Sequence, residues 1–149
     1  MKISAGKATH FIASPPDAIR AILLYGPDAG LVRERSGTLT KSIVEDPKDP
    51  FRIAEIAANE LRDDPARLSD EAAAIAFTGG QRVVRVRDAT DTISGPLADF
   101  CDNPSGDALV VIEAGNLTPR SKLRKAFENA KCAAAIPCYA DEGGALRDV

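Results

Sequence analysis

The chain has 149 residues, of which 44% are hydrophobic and 28% are charged, and this composition is typical of a single globular domain. Its net charge of -3 argues against a domain that neutralises many phosphates by itself, because that task needs clustered excess Lys and Arg. Aromatic residues make up only 5% and Trp is absent, so we expect an aliphatic core.

Five short apolar runs alternate with stretches of helical periodicity, which predicts an α/β fold with a five-stranded, mostly parallel sheet and helices on both faces. The first and fourth runs are almost continuously apolar, so we expect them at the centre. The second alternates apolar with polar residues and the fifth contains Pro137, so both are predicted to lie at the edges. Arg85 and Arg87 share one side of the third run and are predicted to be solvated. In chain order the runs are 21–25, 51–56, 83–86, 108–112 and 133–138.

Cap and proline signals predict the helices between the runs. An N-terminal helix carries His10, and the next is predicted from Leu31 to Ile43. The following helices are predicted to run from Asp64–Pro65 through Ile75 to Gly79–Gly80, after Ser94–Gly95–Pro96, and from Thr118–Pro119 onwards. The polar, glycine-containing segment 141–149 is predicted to begin a linker. We therefore expect a domain at 1–140 and, beyond the linker start at 141–149, further domains.

Cysteine usage and apolar run lengths predict the compartment. Cys101, Cys132 and Cys138 are odd in number and have no C-x-x-C spacing, so neither a disulfide framework nor a zinc site is predicted. We expect them to pack as small core residues. The N-terminus lacks the apolar stretch of a secretion signal, and no run approaches the roughly 20 apolar residues of a membrane span. These features favour a reducing, cytoplasmic setting.

The turn after the first run occupies the place of the phosphate loop in a doubly wound sheet. A working loop has glycine, four residues, and then Gly-Lys-Ser/Thr. Gly26 matches this template, but Leu31, Val32 and Arg33 replace the second glycine, the lysine and the hydroxyl residue, and Asp28 would repel a phosphate. The segment is equally compatible with an ordinary turn. As a degenerate phosphate loop it comprises Gly26, Pro27, Asp28, Gly30, Leu31, Val32 and Arg33.

No catalytic set is apparent in the sequence. His10 is the only histidine and has no paired nucleophile. Asp88 follows the third run without a second acid, although hydrolysis of a nucleotide requires carboxylates that hold magnesium and position water. Glu113, at the end of the fourth run, is a lone carboxylate and is predicted to be a cap or a solvated group. We predict no catalytic residue, metal or cofactor.

Several stretches together resemble the N-terminal domain of the delta subunit of the bacterial DNA polymerase III clamp loader. They are Leu-Leu-Tyr-Gly-Pro-Asp (23–28) with Leu-Val-Arg-Glu (31–34), Ala-Ile-Ala-Phe-Thr-Gly-Gly-Gln-Arg-Val-Val (74–84), Leu-Val-Val-Ile-Glu-Ala-Gly-Asn-Leu (109–117) and Lys-Leu-Arg-Lys-Ala-Phe (122–127). The resemblance covers nearly the whole chain. It implies a RecA-like, AAA+-type P-loop NTPase fold that has lost ATP binding.

The resemblance further implies a subunit that binds and opens the beta sliding clamp during DNA replication, within a polymerase holoenzyme and without enzymatic activity of its own. Its other partners would be the delta prime and gamma/tau subunits, with DNA reached only through the assembled complex and no membrane contact. The family's clamp contact is a Leu-Phe pair at the end of the helix before the third strand, which falls on Ala76 and Phe77. Because Ala76 departs from leucine, Ile75 is the candidate for the aliphatic contact.

Other interpretations stay open on the sequence. The chain could be a nucleotide-dependent hydrolase or phosphotransferase with an atypical loop. A small regulatory α/β domain is a third possibility, although such a domain is expected to keep an acidic cluster at its strand ends. Phe77 could simply pack in the core, although an aromatic residue beside Thr78–Gly79–Gly80, where a helix gives way to a turn, can also project as an anchor for a partner.

Overall fold

The computed structural model describes residues 1–46, 48–74 and 80–139. Within these ranges the strands are β1 Ala21–Tyr25, β2 Ile53–Ala57, β3 Val83–Ala89, β4 Leu109–Ala114 and β5 Ala133–Pro137. The helices are α1 Ala5–Ala13, α2 Ala29–Ile43, α3 Ala58–Asp63, α4 Ala66–Ala73, α5 Ser94–Asp102 and α6 Lys122–Asn129. A short 3₁₀ helix, Asp91–Ile93, precedes α5.

The five strands form one parallel sheet in the order β2-β3-β4-β1-β5. The apolar runs of β4 and β1 lie inside the sheet, and the runs of β2 and β5 lie at its edges, as predicted. Every residue of β1 and β4 is buried, because both strands are covered on both faces. The first residues of the chain run beside β5, where the Ile3 N–H donates to the Ala135 carbonyl at 3.0 Å.

Alternate residues of each strand point into two separate cores. On one face of β1, Leu23 and Tyr25 pack with apolar residues of α3, α4, α5 and α6. On the other face, Ile22 and Leu24 pack with residues of α1 and α2. The predicted layer of helices on each face of the sheet is therefore confirmed. Cys101 and Cys138 are buried in these cores, as predicted, whereas Cys132 is only partly buried.

Three predicted helix boundaries were wrong. The second helix begins two residues early, at Ala29, because Asp28 caps it. The last helix begins at Lys122, not at Thr118–Pro119, because the Ser121 side chain is the cap and accepts the Arg124 N–H. The fourth helix ends at Ala73, since Ala74 has extended backbone geometry. Residues 75–79, which were predicted to complete it, lie outside the described residues, as does the predicted linker at 141–149.

The described helices are all short. None of those within residues 1–46, 48–74 and 80–139 is long and apolar enough to span a membrane. The longest is α2, with 15 residues, and it carries buried Ser36 and Thr40 on the face that packs on the sheet. The first helix contains His10, as predicted, and its side chain is exposed.

Candidate functional site

The turn after β1 is tied directly to the strands on either side of β1. The Gly26 N–H donates to the Gly115 carbonyl after β4 at 3.0 Å, and the Cys138 N–H after β5 donates to the Tyr25 carbonyl at 2.7 Å. Gly26 has φ of 146°, and a Cβ there would lie 2.2 Å from the Cys138 carbonyl oxygen. Only glycine fits this close approach. The backbone after β1 is thus joined to the ends of β4 and β5, at the place where doubly wound sheets bind ligands.

Asp28 occupies the position at which a phosphate would meet the helix. Its carboxylate accepts the Leu31 N–H at 3.1 Å, and its carbonyl accepts the Val32 N–H at 3.0 Å. Only residues 26–28 separate β1 from α2. A phosphate loop needs free backbone N–H groups that converge on the ligand. Here one of these N–H groups is already bound to the chain's own negative charge.

The positions that would carry a lysine and a hydroxyl group have neither. Val32 is 4% exposed and packs in the core formed with α1 and α2. Leu31 is partly buried against the same core, and Arg33 is exposed. The pocket beside this turn, between the start of α2 and the ends of β3 and β4, has a volume of about 150 Å³. Ligand pockets usually exceed about 300 Å³, so this one is small for a nucleotide.

A buried ion pair lies under α2 near this pocket. Arg85 on β3 donates to Glu113 Oε2 on β4 at 2.8 Å, and both side chains are 11% exposed. Ser36 on α2 donates to the same oxygen at 2.6 Å and accepts from Arg85 Nε at 3.2 Å. The predictions that Arg85 is solvated and that Glu113 is a cap or a solvated group were therefore wrong. The two residues lie on the same side of adjacent strands, where Arg85 is paired with Val111, and each supplies the countercharge that makes burial of the other tolerable.

Two residues near the end of β3 are more exposed. Arg87 donates to Glu55 at 3.2 Å, with 42% and 51% of the two side chains exposed, so the prediction of a solvated arginine is confirmed at this position. Asp88 has φ of 58° and also lies at the surface. In the part of the chain that the structure describes, no three His, Cys, Asp or Glu residues are grouped as they would be around a metal ion.

The candidate clamp-binding residues Ile75, Ala76 and Phe77 lie outside the described residues, but both flanks of their segment are held in place. Arg82, at the start of β3, forms an ion pair of 3.3 Å with Glu71 on α4 and also donates to the Glu71 carbonyl. It donates to the Phe51 carbonyl at 3.1 Å as well. The end of α4 and the start of β3 are thereby joined by one buried guanidinium.

No family model matches the sequence, and no curated protein is similar to it. Solved structures, however, are similar to this chain. The delta protein of the Bacillus subtilis DNA clamp loader is 19% identical and superposes with a TM-score of 0.68. A gamma subunit-related protein of DNA polymerase III from Thermotoga maritima is 16% identical, with a TM-score of 0.58. This chain shares the fold of these two proteins. It is the α/β fold with a five-stranded parallel sheet and helices on both faces that the sequence predicted.

The alignments cover almost all of this chain but less than half of each similar protein. They include 90% and 93% of this chain, against 42% of the delta protein and 46% of the gamma-related protein. At identities below 20% the likeness establishes the fold alone. What the chain binds must therefore be argued from its own residues.

One basic residue near the same end of the sheet has a structural role that the sequence did not indicate. The Arg124 guanidinium lies 4.9 Å from the centre of the Tyr25 ring, donates to the Leu117 carbonyl at 3.0 Å and pairs with Glu128 at 3.0 Å. Burial raises the pKa of Tyr25, and the nearby Arg124 charge opposes this. Arg124 thus fixes the end of β1 to α6. The i,i+4 spacing from Arg124 to Glu128 is the only part of this cluster that is visible in the sequence.

Proposed function

We propose that this chain is the N-terminal domain of a clamp-loader delta subunit, which binds and opens the beta sliding clamp during DNA replication without hydrolysing ATP. The observation that carries the proposal is the turn after β1, where Asp28 caps α2 at the place of a phosphate in a clamp-loader fold. Such a domain keeps the fold of a nucleotide-binding protein and acts through contacts with partners. It has no intrinsic enzymatic activity and belongs to the polymerase holoenzyme.

The remaining partners follow from the same proposal. The delta prime and gamma/tau subunits complete the loader, and DNA is reached only through the assembled complex, because the net charge of -3 provides no excess of basic groups. We place the protein in the cytoplasm. Three unpaired cysteines are consistent with its reducing conditions.

Clamp opening, in this proposal, is a matter of differential binding. A partner that binds the open ring more tightly than the closed ring shifts the ring toward the open state by that difference in free energy. The contact is assigned to Ile75, Ala76 and Phe77, with Phe77 as the anchor. Support comes from the flanks, since the Arg82–Glu71 pair fixes both points from which this segment departs. A fixed base reduces the conformational entropy lost on binding.

Replacing Phe77 by alanine tests the contact. Removal of an aromatic anchor from its pocket costs about 2 kcal/mol or more, so we expect affinity for the cognate clamp to fall by about 30-fold. Binding is measured by calorimetry, and circular dichroism establishes that the variant is folded.

The matched control is Tyr139→Ala. Tyr139 is also an exposed aromatic residue, but it follows β5, at the opposite edge of the sheet from β2 and the start of β3. This variant should bind the clamp as the unmodified chain does. Unaltered affinity of a folded Phe77→Ala variant would remove the residue from the contact and leave the fold assignment untouched.

A further inference from the structure

Two of the three cysteines are in direct contact. Cys101 lies in the last turn of α5 and is 8% exposed, and Cys132 lies just before β5 and is partly exposed. The Cys132 thiol donates to the Cys101 carbonyl with an S–O distance of 3.2 Å. This contact brings the Cys132 sulfur to the backbone of Cys101, so rotation of the two side chains can bring their sulfur atoms together.

A surface pocket gives small molecules access to this pair. It has a volume of about 390 Å³ and lies between the last turns of α5 and α6, with both sulfur-bearing residues and the charged side chains of Asp102 and Lys131 on its walls. The third cysteine is placed differently. Cys138 is fully buried, packs in the core under α1 and α2, and has its sulfur 3.6 Å from Arg35 Nη1.

We propose that Cys101 and Cys132 form a reversible dithiol–disulfide site that reacts with low-molecular-weight disulfides. The Cys132 thiolate attacks one sulfur of the small disulfide, breaks its S–S bond and releases one thiolate. Cys101 then loses its proton to solvent and attacks the Cys132 sulfur of the mixed disulfide, which releases the second thiolate. The protein loses two protons and two electrons, and the small disulfide is reduced to two thiols.

The surroundings of the two sulfur atoms set this order of attack. Burial raises the pKa of Cys101 to about 12, and the negative charges of Cys132 and Asp102 add to the effect, whereas the Met1 ammonium opposes it. Cys101 therefore stays protonated while Cys132, the more exposed thiol, reacts first. Once Cys132 is in a mixed disulfide its charge is gone, and ionisation of Cys101 becomes easier.

The bond would join the end of α5 to the connection between α6 and β5. The cysteines are 31 positions apart, so the cross-link closes a loop of moderate length and restricts the unfolded chain. We expect Tm to rise by about 10 °C on oxidation and to return to its original value on reduction.

The test is incubation of the native 149-residue chain with oxidised glutathione, followed by mass spectrometry of the intact protein and its peptides. We expect the mass to fall by two hydrogen atoms, with Cys101 and Cys132 in one cross-linked peptide pair and Cys138 still a thiol. The control Cys138→Ser should react in the same way. The Cys101→Ser variant should instead accumulate one glutathione on Cys132.

Dithiothreitol should restore the starting mass of the cross-linked protein. The proposal is overturned if the unmodified folded chain keeps both thiols, or if it accumulates only glutathione adducts without the internal bond. That outcome is read from the unmodified chain, so it does not depend on whether each variant folds.

Discussion

At the scale of single residues, the chemistry of the turn after β1 depends most on Asp28, whose carboxylate accepts the Leu31 N–H at the start of α2. A carboxylate at this position satisfies a free N–H group and interacts favourably with the helix dipole. It also repels any phosphate that approaches the same groups. The interaction that stabilises the helix is therefore the one that opposes nucleotide binding.

Replacing Asp28 by alanine should lower the free energy of unfolding by about 1 kcal/mol, because the cap of α2 is lost. Urea denaturation measures the change. Asp17→Ala is the matched control, since Asp17 is exposed and precedes β1, and it should leave the unfolding free energy almost unchanged. Equal stability of Asp28→Ala and the unmodified chain would mean that the cap contributes nothing.

Loss of the Arg85–Glu113 pair is expected to lower the free energy of unfolding more than loss of the Asp28 cap. Glu113→Ala leaves the buried Arg85 guanidinium with no countercharge, and we expect a loss of about 3–5 kcal/mol in the free energy of unfolding. Replacing both residues, as Arg85→Met with Glu113→Leu, should cost less than Glu113→Ala alone, because no unpaired charge stays buried. Chemical denaturation of the single and double variants measures the coupling. A double variant that is less stable than the single one would contradict this account.

At the scale of elements, the start of α6 depends on a residue that lies thirty positions earlier. Asp91 Oδ1 accepts the Ser121 hydroxyl at 2.5 Å and the Leu123 N–H at 3.2 Å. The Ser121 hydrogen bond holds the pKa of Asp91 below its ordinary value of 3.8, against a smaller opposing effect of desolvation. Since the folded-state pKa is the lower one, the ionised carboxylate stabilises the fold above pH 3.8 and this contribution is lost as the pH falls through the folded value.

This linkage predicts the behaviour of Asp91→Asn. At neutral pH the variant should melt at a lower temperature than the unmodified chain, and the gap in Tm should narrow as the pH falls below 3.8. Thermal melts followed by circular dichroism across this range measure the gap, with Asp17→Asn as the exposed control. A gap that is constant with pH would show that the charge of Asp91 is not coupled to folding.

The same elements show what local sequence can and cannot predict. Strand positions were predictable because the apolar runs of β1 and β4 are continuous, and the edge strands were marked by alternation in β2 and by Pro137 in β5. The start of α6 was missed because Thr118–Pro119 is a stronger local signal than Ser121, and the contact that selects Ser121 comes from distant Asp91.

The buried ion pair was missed for a related reason. Arg85 and Glu113 come within reach of each other in the register that aligns Val86 with Ile112, and strand register cannot be read from either strand alone. Each residue viewed singly has the features of a solvated charge. The available sequence signal for the ion pair was that two neighbouring strands carry side chains of opposite charge near their ends. The clamp contact, by contrast, came from resemblance and stays a prediction.

At the scale of the whole molecule, the fold and the proposed role have separate support. The strand order and the likeness to clamp-loader proteins establish the fold. The fold alone would also suit a nucleotide-dependent hydrolase, but such an enzyme needs a cation and a metal ligand at the turn after β1. Val32 and Arg33 stand at those positions, and the Asp28 carboxylate caps the N-terminus of α2. These residues are the reason for proposing a role in partner binding rather than in hydrolysis.

The most direct test of the central claim is calorimetric titration of this chain with its cognate sliding clamp, with and without ATP and magnesium. We predict saturable binding with the same affinity in both conditions, and no heat of binding when ATP and magnesium are added to the chain alone. Absence of clamp binding would contradict the proposed role. Clamp binding that requires ATP, or micromolar binding of ATP itself, would contradict the loss of the phosphate site and favour the hydrolase.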